Sequence, residues 1–220
     1  MTALPPGLTP GTYVIDPSHT ELGFSVRHAM ISKTRGRFSG VTGTMVFGED
    51  VESAKATAEI DASTIDTREP TRDGHLRSPD FFDVEKYPTL SYTSTGISVT
   101  DDGYVLDGDL RIKDVTRPVS LEVEFNGAAT DPFGNKKLGF TATTVVNRKD
   151  YGLTWNAALE TGGVLVGDKI TITLELEGNL VEGEQADSVQ AQDSDAVEAE
   201  TEQAVADADQ YPKLDEDARV

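Results

Sequence analysis

The residues that most suggest chemistry in this sequence are three histidines and two aspartates close to them. His19, His28 and His75 are the only histidines, and Asp16 and Asp73 precede two of them by a few residues. Three histidines can bind a catalytic zinc ion. These lack the His-x-x-x-His spacing of a helical zinc site, and no glutamate is positioned as a base. We therefore predict no metal site, with a metal-assisted enzyme as the alternative.

Nucleophilic and cofactor-dependent catalysis find no support in the sequence. Ser18 is adjacent to His19, but a nucleophile and its base are recognised by geometry and not by adjacency. The sequence contains no Gly-x-Ser-x-Gly elbow, and no glycine-rich loop joins a strand to a helix as a phosphate site requires. The absence of cysteine excludes disulfides and thiolate metal sites. We predict no catalytic residue and no cofactor.

Alternation of apolar and polar residues runs through most of residues 11–180 and predicts β-strands. About eight strands follow one another, mostly through short connections, so neighbouring strands should be antiparallel. No helical pattern is long enough to connect parallel strands. The predicted fold is all-β, an eight-stranded antiparallel up-and-down barrel, because closure removes exposed sheet edges. Residues 1–10 form an irregular lead.

One long connection, residues 71–88, interrupts the strands and is longer than a hairpin needs. It carries too much apolar surface for a disordered loop. Its apolar side chains are Leu76, Phe81, Phe82, Val84 and Tyr87. We predict that this segment is a lid with a short helix around residues 70–77. We expect His75, Asp73 and the turn at residues 16–19 to pin the lid to the first strands.

The predicted barrel has an apolar inner face, which most often means a solid core. One strand, however, places Ala54, Ala56 and Ala58 on its apolar face. Side chains this small leave room inside an eight-stranded barrel. An aromatic lid over a filled barrel would also have nothing to cover. The residues alone therefore leave both a solid core and a lumen open.

Five segments carry a resemblance to a known family. They are residues 15–20 (IDPSHT), 24–28 (FSVRH), 73–84 (DGHLRSPDFFDV), 108–118 (GDLRIKDVTRP) and 147–152 (NRKDYG). In this order they resemble the motifs of the YceI-like proteins, over residues 11–180. The resemblance implies a lipocalin-like barrel that binds a polyisoprenoid or a similar long-chain lipid in its lumen. The predicted function is then non-catalytic binding, sequestration or transport of a quinone precursor or polyprenyl lipid.

The candidate ligand-binding residues are the apolar residues of the inner face and of the lid. The wall candidates are Phe24, Val26, Phe38, Phe47, Tyr92, Leu110, Phe140 and Trp155, with His28 at the end of a strand. The cap candidates are Leu76, Phe81 and Phe82. Arginines at the mouth are candidates for contact with an anionic or phenolic head: Arg27, Arg37, Arg72 and Arg148.

Charge and composition bound the partners. Residues 181–220 contain 13 acidic and 2 basic residues, which predicts a disordered acidic tail. The tail is read as solubilising, with a stress-related interaction module as the alternative. The remaining net charge of −9 argues against nucleic-acid binding. Without a signal sequence or a spanning segment, we expect a cytoplasmic protein with no stable membrane insertion, and a homodimer is possible.

Overall fold

The computed structural model describes residues 1–160 and 162–181. Its strands are β1 (Gly11–Ile15), β2 (Glu21–His28), β3 (Ser32–Phe38), β4 (Val41–Phe47), β5 (Lys55–Asp61), β6 (Thr89–Thr100), β7 (Gly103–Ile112), β8 (Val115–Thr130), β9 (Lys136–Asn147) and β10 (Val166–Val181). The helix α1 spans Pro70–Arg77, where the sequence predicts it. Short 3-10 helices lie at Val51–Ser53, Ala62–Thr64 and Arg148–Tyr151. Among the described residues, no helix has the length and apolar character needed to cross a membrane.

The strands form one closed antiparallel barrel. Their order is β1-β4-β5-β6-β7-β8-β9-β10-β2-β3, and a pairing of β1 with β10 closes the sheet. Both β1 and β2 run antiparallel to β10 and pair with successive parts of it, so together they occupy one strand position of the barrel. In the same way β3 and β4 share the next strand position. The predicted eight-stranded up-and-down barrel is therefore confirmed, and at two of its eight positions the strand is broken into two.

Residues 16–20 form a turn between β1 and β2 that stays hydrogen-bonded to β10. The Asp16 amide donates to the Glu177 carbonyl at 2.8 Å, and the Glu177 amide donates to Thr20 Oγ1 at 3.2 Å. The Asp16 carboxylate accepts from Lys137 Nζ at 3.2 Å and contacts His19 Nδ1 at 3.0 Å. This turn is thus fastened to β9 and β10, and not to the lid as the sequence suggested.

The two ends of the barrel are closed by different segments. At one end lie the turn between β2 and β3 and the connection from β5 to β6, which contains α1 and the lid. At the other end lie residues 1–10, in which Leu8 is buried. Val181 is the last residue of β10 and pairs with Thr12, so the barrel extends one residue beyond the predicted boundary. The remainder of the predicted acidic tail lies outside the described residues.

The Asp16 network predicts an acid-sensitive stability. Its hydrogen bonds, that with His19 foremost, lower the pKa of Asp16 well below the ordinary value. An ionised carboxylate that is stabilised in the folded state contributes stability above about pH 4, and this contribution is lost as the pH falls further. We expect Asp16→Asn to lower the free energy of unfolding at pH 7 by about 1–3 kcal/mol, measured by urea denaturation.

The matched control is Asp102→Asn, in the exposed turn between β6 and β7. It should leave the free energy of unfolding at pH 7 unchanged. The difference in free energy of unfolding between Asp16→Asn and the original protein should become smaller below pH 4. Protonation of the Asp16 carboxylate then removes the charge that the substitution removes. A gap of constant size at all pH values would contradict this role of Asp16.

Candidate functional site

The barrel encloses an apolar lumen in two adjoining chambers. The lid-side chamber, beneath α1 and the lid, has a volume of about 190 Å³. The lead-side chamber, above residues 1–10, has a volume of about 100 Å³. Neither presents any polar surface to its interior. The two chambers share six wall residues, Ile15, Ala58, Tyr92, Leu121, Ala142 and Leu174, so they adjoin at this level of the barrel, which we call the waist.

Tyr92 on β6 carries a polar group at the waist, but its hydroxyl points into the barrel wall and away from the lumen. Tyr92 Oη donates to the Leu106 carbonyl at 3.2 Å. The ring has room because residue 108 is glycine: a Cβ there would lie 2.5 Å from Tyr92 Oη. Burial raises the pKa of Tyr92 above its ordinary value, and Asp107 and Asp109 add to the rise. The phenol is therefore neutral at physiological pH and adds no charge to the lumen.

The small side chains of β5 account for the space in the lead-side chamber. Ala56 and Ala58 on β5, and Ala54 just before it, all line this chamber, as the sequence predicts. Its end is closed by Leu4, Pro5 and Leu8 of the irregular lead. These residues lie among prolines and show no periodic pattern, so they were not among the candidate ligand-binding residues. Only contact with the barrel identifies them as part of the wall.

The lid is held over the other chamber by hydrogen bonds to backbone atoms. Glu69 caps α1 by accepting from the Thr71 and Arg72 amides. Arg77, in the last turn of α1, donates to the Ser63 and Ile65 carbonyls, both at 2.7 Å. These bonds anchor the helix to the 3-10 turn after β5, so the lid keeps one orientation over the barrel.

Buried Asp73 on α1 completes this anchorage. Its carboxylate accepts from the amide and the hydroxyl of Thr67. Arg72 also donates to Thr67, from Nε to Oγ1 at 2.7 Å and from Nη2 to the carbonyl at 2.9 Å. Asp73 therefore fixes the lid to its own connection, and not to the first strands as predicted.

Aromatic rings continue the lumen wall into the lid. Phe38 lies between two other rings, 5.8 Å from Phe24 and 5.7 Å from Phe82. Phe81 packs against Trp155, with ring centroids 5.4 Å apart, and His75 packs against both rings. A ligand that enters the lid-side chamber would therefore touch rings that also support the lid.

Ten of the twelve candidate ligand-binding residues line the lumen. The lid-side chamber is lined by Phe24, Val26, Phe38, Leu76, Phe81, Phe82, Tyr92 and Leu110. Phe47, Phe140 and Tyr92 line the lead-side chamber. Trp155 and His28 line neither chamber. Trp155 packs against Phe81 of the lid from outside the chamber, and His28 ends β2 at the rim, so the prediction that both line the lumen is wrong.

The three histidines do not converge in the part of the chain that the structure describes. His75 Nε2 lies 2.8 Å from Asp80 Oδ2, and His28 pairs with Ser32 at the tip of the β2–β3 hairpin. Among the described residues, the one group with metal-ligand spacing is Asp16, His19 and Glu177. Lys137 Nζ lies 2.6 Å from Glu177 Oε1, so a cation of the protein already occupies this group.

Two of the four candidate arginines serve the fold instead of the mouth. Arg148 is buried, and its guanidinium donates to the backbone carbonyls of Leu153, Trp155 and Gly167. Burial lowers the pKa of Arg148 from its ordinary value. Arg72 is engaged with Thr67, as described above. Only Arg27 and Arg37 remain on the outer surface.

Tyr151 is a buried polar group at the lid-side chamber that the sequence analysis did not select. Its side chain lines this chamber, and Tyr151 Oη has no hydrogen-bond partner among the described residues. Burial, with a smaller effect of Asp150, raises the pKa of Tyr151 to about 12. The family-like segment that contains it was visible in the sequence, but its inward position follows only from the 3-10 turn after β9.

Comparison with known proteins gives a consistent result. The family model described as YceI-like domain matches residues 13–178. The UPF0312 protein SA2479 of Staphylococcus aureus strain N315 is 36% identical over 173 residues, which cover 77% of this chain and 98% of that protein.

Solved structures show the same fold. The YceI protein of Campylobacter jejuni is 26% identical with a TM-score of 0.60, over 71% of this chain and 90% of that chain. A polyisoprenoid binding domain from Saccharophagus degradans, implicated in plant cell wall breakdown, has a TM-score of 0.59. It is 13% identical over 79% of this chain and 100% of that chain, a likeness that shows the fold alone.

The contact between Phe81 and Trp155 gives a direct probe of the lid. Because Trp155 is the only tryptophan, the intrinsic fluorescence reports this contact. We expect Phe81→Ala to shift the Trp155 emission to longer wavelength, because water reaches the indole. Loss of a buried phenylalanine should also lower the free energy of unfolding by about 3–5 kcal/mol.

Phe125→Ala is the control, because Phe125 packs against Phe140 in the other half of the barrel. It should destabilise the protein without shifting the emission of the folded state. An equal shift in both variants would mean that the emission reports general loosening and not the lid.

Proposed function

This chain belongs to the YceI-like domain family, and we propose that its barrel binds a long-chain isoprenoid or a similar amphiphilic lipid without changing it chemically. The bound lipid is sequestered or carried. A quinone precursor or a polyprenyl lipid has the required apolar chain. The structural relative from Saccharophagus degradans is described as a polyisoprenoid binding domain, which agrees with this class of ligand.

The observation that carries the proposal is the apolar lumen, formed by two adjoining chambers. Its interior shows no polar surface, and it is closed by the lead at one end and by the lid at the other. Apolar cavities of this size remain dry and take up apolar ligands, as an engineered cavity of ~150 Å³ takes up benzene. A polar substrate would lose its hydration here without gaining hydrogen bonds in return.

The shape of the lumen favours a chain over a compact molecule. On β10, wall residues run from Val166 to Leu176. Ten residues of strand span about 33 Å, and the tilt of strands in a barrel shortens this to about 25 Å along the axis. A lipid tail can follow this length through the waist at Tyr92.

Burial of the chain supplies the affinity. Each buried methylene contributes about 0.8 kcal/mol, so a dozen buried carbons contribute on the order of 10 kcal/mol. That free energy is enough to offset a substantial cost of association. Because the walls offer no polar contact, we propose that length and shape select the ligand.

An enzymatic role would need reactive groups at the lumen. The histidines lie apart, and the hydroxyl of Tyr92 is bonded within the wall. The hydroxyl of Tyr151 at the lid-side chamber stays protonated, because burial raises its pKa to about 12. The proposed role is therefore binding, and the proposed ligand-binding residues are the ten candidates that line the lumen together with Ala58 and Ala142 at the waist.

Filling the waist should abolish binding. Ala58 lines both chambers, so Ala58→Phe places a ring where the chain must pass. We expect the retention of radiolabelled geranylgeraniol after gel filtration to fall at least about tenfold. Overpacking a filled core costs about 1–3 kcal/mol, but here the ring enters existing space, so the free energy of unfolding should change by less than about 1 kcal/mol.

The control is Glu59→Phe, which introduces the same ring at the next residue of β5. Glu59 is exposed on the outer face. This variant should retain geranylgeraniol like the original protein. Full retention by Ala58→Phe, or no retention by the original protein, would contradict a chain-binding lumen.

A further inference from the structure

The β2–β3 hairpin has a charge opposite to that of the rest of the barrel. The hairpin, residues 21–38, contains four basic residues and one acidic residue, Glu21, whereas the other residues up to 180 carry a net charge of −12. Arg27, Lys33 and Arg35 are exposed. They alternate with the inward residues Phe24 and Val26 and therefore form one outer face of the hairpin. We name Arg27, Lys33 and Arg35 the basic face.

The basic face is arranged without compensation inside the protein. Arg27 is directly opposite Lys33 in the register of β2 and β3, and Arg35 is opposite Ser25. Like charges in directly opposed positions of antiparallel strands are destabilising. Among the described residues, none of these three cations makes an ion pair, whereas nearby Arg37 contacts Glu21 and Asp66. An external anionic partner would relieve this repulsion.

The tip of the same hairpin is apolar and exposed. Met30 is 62% exposed and Ile31 is 85% exposed. The turn has a defined conformation, because the Ala29 amide donates to the Leu165 carbonyl at 2.7 Å and the Ile31 amide donates to the His28 carbonyl at 3.1 Å. Ala29 and Met30 hold φ angles of 47° and 61°, a region that residues other than glycine rarely adopt.

We propose that the β2–β3 hairpin docks on an anionic lipid bilayer, with Met30 and Ile31 in the interface and the basic face against the headgroups. Apolar side chains flanked by cations bind such interfaces through apolar burial and through attraction to anionic lipids. The acidic remainder of the barrel is repelled by the same surface. Docking by this hairpin is therefore the orientation that the charge distribution favours.

The position of the hairpin connects docking with the lumen. The hairpin lies at the lid end of the barrel, and among the described residues the outer edge of β3 is paired only through a bridge from Arg37 to Asp66. Phe24 lines the lid-side chamber and also an outer groove of about 490 Å³, which is lined by four basic residues, Lys33, Arg35, Arg37 and Arg68, and by two acidic residues, Glu21 and Asp66. Docking would thus bring a part of the wall that borders both the lumen and the outer surface to the bilayer. This inference extends the proposed function by naming the surface from which the lipid is exchanged.

The test measures vesicle binding of the lipid-free, full-length protein. Sedimentation with vesicles of phosphatidylcholine and phosphatidylglycerol is compared with sedimentation with phosphatidylcholine alone. We expect binding only to the anionic vesicles. It should weaken as ionic strength rises from about 0.01 M to 0.15 M, because the Debye length falls from about 30 Å to 8 Å.

Two double variants separate the contributions of charge and tip. Each basic residue near an anionic surface adds about 1 kcal/mol, or roughly fivefold in binding. Lys33→Glu with Arg35→Glu should therefore weaken binding to anionic vesicles more than about tenfold. Met30→Ser with Ile31→Ser should weaken it several-fold. The control, Phe133→Ser with Lys136→Glu, removes an exposed ring and a cation at the opposite end of the barrel and should bind unchanged.

Geranylgeraniol retention and the unfolding midpoint are measured for every variant. Loss of vesicle binding with both of these unchanged supports the docking surface. No binding by the original protein, equal binding to neutral vesicles, or an equal loss in the control overturns it. Those results would leave the lumen intact, because retention of geranylgeraniol is read separately.

Discussion

The closure of the barrel depends on β10, a strand of 16 residues that has partner strands on both sides. On one side it pairs with β9, and on the other with β2 and then β1. The second pairing is continuous only because the turn at residues 16–20 is bonded to Glu177 on β10 and to Lys137 on β9. A closed barrel needs a matched register around its whole circumference. The ionised network at Asp16 therefore supports the enclosure on which the lumen depends.

The lumen exists because the closed sheet is larger than the side chains that fill it. Ala56 and Ala58 on β5 and Ala142 on β9 place methyl groups where a solid core would need larger residues. Leaving apolar walls uncovered forgoes the contact energy of a packed interior. The lid and the lead limit this cost by excluding bulk water. A lipid chain would restore the missing contacts, which links the stability of the protein to its ligand.

The sequence was sufficient for the barrel, for α1 and for the position of ten of the twelve candidate residues at the lumen. For those on strands, period-two alternation determines which face each residue occupies. It failed where regular strands end. Trp155 lies in the irregular stretch before β10, and its position behind Phe81 is a tertiary contact without a periodic signal. His28 follows the alternation of β2 but lies at the rim. The wall residues of the lead, such as Leu8, lie among prolines and become part of the lumen only when the chain folds back on the barrel end.

The central claim is that the lumen holds a lipid chain. Native mass spectrometry of the protein as purified, followed by identification of any lipid released from the same sample, tests it most directly. We expect a mass excess that matches one isoprenoid or similar long-chain lipid per barrel. This excess should disappear on organic extraction and return on incubation with geranylgeraniol. A protein that carries no excess mass and takes up no geranylgeraniol would contradict the account.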